Sequence, residues 1–139
     1  MQYILEVSEE QAEVIKIALE EYFRLRMNQT GYFADDICFD GFDYKNHTED
    51  EFNYRIMCRD LFQDKLKKLM DFVHPLQFKD CELRGQTIEM RRAQDIWQVI
   101  RHTLWGYRSG DKDDWCVDAR EPMSMTGEPL PKMEVNDEI

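Results

Sequence analysis

A mainly α-helical fold is what this sequence predicts: a small domain of about three main helices, a candidate short β element at the N-terminus and an extended C-terminal arm. Three observations predict it. Three segments repeat apolar residues at three- and four-residue intervals. Two of them open on a helix-capping signature. Beyond Trp105 the repeat stops, and glycine and proline appear in a polar context.

The first helix is expected over residues 8–27. Ser8 with Gln11 forms the S-x-x-Q capping box, and Glu9 and Glu10 suit the positive end of the helix dipole. Ala12, Val14, Ile15, Ala18, Leu19, Tyr22, Phe23 and Leu25 make a wide apolar face. Glu13, Lys16, Glu20 and Arg24 lie opposite, with Glu20 and Arg24 spaced as an i,i+4 ion pair. Ahead of it, QYILEV alternates weakly enough to be a short strand.

Residues 28–47, rich in aromatic and acidic side chains and broken by Gly31 and Gly41, read as a loop or short hairpin. Tyr32, Phe33, Phe39, Phe42 and Tyr44 are expected to cap the helical core. A calcium loop starting at Asp36 fails, because Cys38 and His47 then occupy ligand positions. The second helix, 49–73, starts from the Thr48/Glu51 capping box and runs through Phe52, Ile56, Phe62, Leu66, Leu69 and Val73, interrupted by Arg59. His74-Pro75 is expected to end it.

The third helix, 87–105, is the expected centre of the core. At about 100° per residue, Met90, Ala93, Ile96, Trp97, Ile100 and Leu104 fall on one side. Arg91, Asp95, Gln98 and His102 form a line on the other. That line is either a solvated face with one ion pair, or a recognition stripe in which Gln98 orients His102. After it the arm, 107–139, carries Trp115, Val117, Met123, Met125 and Leu130 as anchors across the helical body, 1–106, or across a neighbouring subunit.

At 139 residues the chain is long enough for one domain with a real core, and 42% hydrophobic content argues against full disorder. No apolar run reaches membrane-spanning length, and the N-terminus lacks a basic, apolar leader, which places the expected location in a cytoplasm. Cys38, Cys58, Cys81 and Cys116 are scattered without a CxxC pair and read as reduced thiols; no metal or cofactor is expected. A formal charge of −11 discourages direct contact with nucleic acid. It fits a solvated surface, or an acidic face that docks on a basic protein.

No G-x-S-x-G, HExxH or P-loop pattern occurs, so the expectation is a binding protein and not an enzyme. Arginine concentrates around the third helix and the start of the arm: Arg84, Arg91, Arg92, Arg101, Arg108 and Arg120. Guanidinium forks grip phosphate, and Trp105, Tyr107 and Trp115 offer rings for stacking. The candidate ligand-binding set is Arg91, Arg92, Arg101, His102, Trp105, Arg108, Trp115 and Arg120, with a small phosphorylated, nucleotide-like ligand. The alternative is that these arginines pair with the acids of the arm and the aromatic loop.

The run RRAQDIWQVIRHTLW, followed after a polar gap by EPMSMTGEPLPKMEV, resembles a family of small phage-encoded proteins. The resemblance covers residues 1–27, with their EEQ-type helix, and the chain from about residue 90 to its GEPLPK tail. It brings no functional residue with it. It implies a phage accessory protein in the cytoplasm of an infected bacterium, countering host defence. One form would be a homo-oligomer that sequesters a nucleotide-like signal. A second would be an acidic inhibitor of a host nuclease or nucleic-acid-binding protein, using Asp35 to Asp43 and Asp111 to Asp114. A third would be a structural or assembly role in the virion.

Overall fold

The computed structural model describes residues 1–77, 86–108 and 116–136. Among them the chain forms four α-helices: α1 Glu9–Arg26, α2 Gly31–Cys38, α3 Glu49–Gln77 and α4 Ile88–Arg108, followed by a short 3-10 turn, Val117–Ala119. The mainly helical class is therefore as the periodicity predicts. The chain divides into two compact units, one of Met1–Phe23 with Ile88–Ile139 and one of Arg24–Thr87.

In the first unit, α1 starts where its capping box lies. The Ser8 backbone N–H donates to Gln11 Oε1 at 2.9 Å, and the Gln11 N–H donates to Ser8 Oγ at 3.2 Å. The core cluster joins Ala12 of α1 to Ile100 and Leu104 of α4, with Ile15, Leu19 and Met133 packed against it. Met90, Ala93 and Val99 are also buried on α4, whereas Ile96 is exposed. Residues 1–8 form no strand, and Met1, Tyr3, Ile4 and Leu5 are exposed. A single strand with no neighbour gains nothing from its unpaired backbone. Helix α4 also continues past Trp105 to Arg108, because an exposed Gly106 costs a helix only about 1 kcal/mol.

In the second unit, the end of α1 is closed by Asn28 in the left-handed region (φ 60°), a common helix stop. The Met27, Asn28 and Gln29 N–H groups turn back onto the carbonyls of Arg24 and Leu25. The expected loop or hairpin after it is instead a two-turn helix, α2. Gly31 opens it and Gly41, at φ 67°, ends the turn that follows, so the two glycines bracket a helix. Helix α3 begins at its Thr48 cap, where the Glu51 N–H donates to Thr48 Oγ1 at 3.1 Å. It runs beyond His74-Pro75 to Gln77, since a proline disfavours the helical region for its predecessor without forbidding it. Helix α2 packs on α3, with Phe33 and Phe62 at 6.0 Å between ring centres.

Candidate functional site

Along the polar line of α4, Asp95, Gln98 and His102 seat the arm of their own chain. Asp95, 4% exposed, accepts the Met125 N–H and the Thr126 hydroxyl, each at 2.7 Å. Gln98 exchanges two bonds with the Met123 backbone, accepting its N–H at 3.1 Å and donating to its carbonyl at 3.0 Å. His102 Nδ1 lies 3.2 Å from the Asp118 carbonyl oxygen. The fourth member is Arg92, one position from the expected Arg91. It grips Glu128 with both prongs, at 2.9 and 2.6 Å. The turn carrying these contacts is closed by Ser124, whose hydroxyl donates to the Glu128 carbonyl at 2.7 Å, and by Gly127 at φ 77°. The expected apolar anchors Val117, Met123 and Met125 are exposed. Polar groups hold the arm, with Met133 on the core cluster.

Six of the eight candidate ligand-binding residues are spread along α4, about 26 Å from Arg91 to Arg108. Arg108 Nε lies 2.6 Å from Glu9 and its Nη1 3.1 Å from Glu13. Arg101, 7% exposed, lies 4.4 Å over the ring centre of Trp97, with its Nε 3.6 Å from Asp118 Oδ1. Burial penalises its charge, partly offset by Asp118 and Glu20. Trp97 also donates from Nε1 to Glu20 at 3.1 Å and takes the Phe23 ring edge-on at 5.2 Å. Glu20, expected on the exposed side of α1, is thus buried beneath it. His102 and Trp105 stack at 5.5 Å. Arg91 is half-buried and Arg120 exposed, while Trp115 lies outside the described residues. Among the described residues, His102 is brought together with Trp105, and Arg101 with Asp118 and with Arg120, whose like charge acts on it.

A different constellation has the form of a docking site. Tyr32, Asp35 and Asp36 of α2, with Phe39, Asp40, Gly41 and Tyr44 of the following turn, line an open groove in the second unit. Tyr32, Asp35, Asp36, Phe39 and Asp40 are spaced so that one face of the helix and its continuation carries rings and carboxylates together. A 3.6-residue period read across Gly31 and Gly41 is the sequence signal for it.

Packed rings build the groove wall. Phe39 and Tyr44 stack at 6.0 Å, 15° from parallel, and Phe42 packs edge-on to both, at 5.4 and 4.9 Å. Phe52 in the first turn of α3 and His47 just before that helix close the cluster. Arg55 ties the turn down, donating to the carbonyls of Cys38 at 2.9 Å and Asp40 at 3.2 Å. Asp43 accepts the N–H groups of Lys45 and Asn46, and these bonds hold its carboxyl below the usual range. Asp36 and Asp40 are exposed, and Asp35 lies 3.4 Å from Arg59. The groove already shows one cation on a ring: the Arg24 guanidinium sits 5.5 Å from the centre of Tyr32.

Among the described residues, no group of three His, Cys, Asp or Glu side chains is placed to hold a metal ion. No helix among them is long and apolar enough to cross a membrane. Comparison with protein families, with curated proteins and with solved structures found no match.

Proposed function

We propose that the protein is a non-enzymatic binding protein whose groove on α2 takes a lysine or arginine side chain of a basic partner protein. The observation that carries this reading is the placement of Asp36 and Asp40 beside the rings of Phe39 and Tyr44 on one open face. Carboxylates neutralise a cation while the ring faces attract it, an interaction of about 0.5–1 kcal/mol at exposed sites. Between residues 35 and 51 the chain carries seven acids and one lysine, so a basic surface is also steered toward the groove from a distance. In the setting the phage resemblance implies, the partner is a nuclease or nucleic-acid-binding protein of the host, inhibited by occupation of its basic surface.

Sequestration of a nucleotide-like signal has less support. Its phosphates would have to displace Glu128 from Arg92, and Glu9 and Glu13 from Arg108.

Calorimetric titration of the full chain with an arginine-rich peptide tests the proposal. Asp36→Asn with Asp40→Asn should weaken binding by about tenfold, equivalent to 1.4 kcal/mol. Removing the same charge at Glu121 and Glu134 should change it little. Equal losses from both pairs would reduce the effect to net charge and overturn the groove assignment.

A further inference from the structure

Helix α3 has a second face that leaves its apolar side chains in solvent. Phe52, Ile56, Phe62 and Leu66 are half-buried within the second unit, while Tyr54, Met57, Leu61 and Phe72 are 61%, 52%, 58% and 77% exposed. Leu69, expected on the buried side, is exposed as well. Tyr54, Met57 and Leu61 follow one another at three and four residues, and Phe72 falls in the same line. Large apolar side chains so aligned on a helix mark a contact surface.

Charge along this helix has a direction. Glu49, Asp50 and Glu51 open it, and Lys65, Lys67 and Lys68 stand near its far end. Asp50, Lys65 and Lys68 fall on the same line as the apolar residues. The helix as a whole carries six acids and five bases, so it is nearly neutral in a chain of net charge −11. From Asp50 to Lys68, with Phe72 beyond it, the stripe is acidic at one end, apolar in the middle and basic at the other, and so complements itself after a two-fold rotation. That is the requirement for an isologous dimer contact.

We propose that this face of α3 is the contact between two copies of this chain, packed antiparallel about a two-fold axis midway between Met57 and Leu61. In that register Met57 meets the partner's Leu61, and Leu61 meets the partner's Met57. Asp50 lies beside the partner's Lys68 at each end of an overlap of about 27 Å. The existing Lys68–Asp64 pair, at 2.8 Å and exposed on both sides, is an i,i+4 pair that exchanges partners at a cost of a few tenths of a kcal/mol. The contact uses a helix face separate from the groove on α2, so its failure leaves the proposed function standing, and the reverse.

Sedimentation of the full chain over a range of concentrations is the test, with circular dichroism as the check on folding. The wild type should sediment as two chains, and Leu61→Glu, at an exposed position beside the axis, as one with unchanged helicity. Asp50→Lys or Lys68→Glu alone should weaken association roughly tenfold. The two together should restore it, because both end pairs are then inverted. A wild type that stays a single chain, a Leu61→Glu variant that stays dimeric, or a double variant no tighter than the single ones would each overturn the proposal.

Discussion

Asp95, near the middle of α4, holds Thr126, thirty-one residues further along the chain, through a 2.7 Å bond from the Thr126 hydroxyl to its carboxylate. The same carboxylate takes the Met125 N–H at 2.7 Å, so one buried acid fixes two consecutive residues of the arm. Asp95→Ala should cost about 3 kcal/mol, as expected for losing charge-assisted bonds at a buried site, and Thr126→Val about 1 kcal/mol. Denaturant unfolding measures both. Hydrogen exchange should show the arm from Met123 to Glu128 losing protection in Asp95→Ala while α1 keeps it.

Trp97 links α1 to α4 through the bond from its Nε1 to Glu20, with Arg101 lying over its ring. Trp97→Phe keeps the ring against Phe23 but removes the donor, and should cost about 1–3 kcal/mol. Combining it with Glu20→Leu should cost less than the two single changes added together, because no buried carboxylate then lacks that donor. A double-mutant cycle that came out additive would show that the bond contributes nothing.

Acid should destabilise the first unit in a defined direction. Burial raises the pKa of Glu13, but Lys16 and Arg108 outweigh it and hold the carboxyl below its ordinary value of 4.5. Arg92, through its hydrogen bonds, does the same for Glu128. Groups depressed in the folded state contribute stability that is present above the ordinary value and lost as pH falls through it toward the lower folded value. The melting temperature should therefore drop below about pH 4.5. In Arg92→Met the drop should be shallower, since Glu128 then titrates alike folded and unfolded.

Two glycines should respond oppositely to alanine. Gly106 lies inside α4 with open space where a Cβ would go, so Gly106→Ala should stabilise by up to about 1 kcal/mol. Gly127 also has open space but sits at φ 77°, so Gly127→Ala should destabilise by about 1–2 kcal/mol through backbone strain alone. Thermal unfolding of the two variants separates backbone conformation from packing.

Local signals made most of the helices legible. The Ser8/Gln11 box and the Thr48 cap lie where two helices begin, and the three- and four-residue periods mark α1, α3 and α4. Helix α2 escaped this reading because it is only two turns long and glycines stand at both its margins. A period is weak over so short a span, and a glycine that could break a helix can as well begin or end one. With α2 unread, the groove formed by Tyr32, Asp36, Phe39 and Asp40 could not be seen as one face. On α4 the array of Asp95, Gln98 and His102 was visible, but its partner was not. All three side chains bond backbone groups, those of Met125, Met123 and Asp118, and backbone groups look the same at every position of a sequence.

The sequence by itself determined where helices form and which faces are apolar, because caps and periodicity depend on residues within a turn or two of one another. Only the tertiary structure decided which charged groups leave water. Glu20 and Asp95 lie on polar positions of their helices and Arg101 at the edge of an apolar face, and all three are buried. What meets each of them arrives from elsewhere in the chain: the Trp97 indole for Glu20, the Met125–Thr126 turn for Asp95, and Asp118 for Arg101, whose other cover, Trp97, stands four residues back on its own helix. A charge is tolerated in the interior only when a partner meets it there, and that meeting is a property of the folded chain and not of any segment of it.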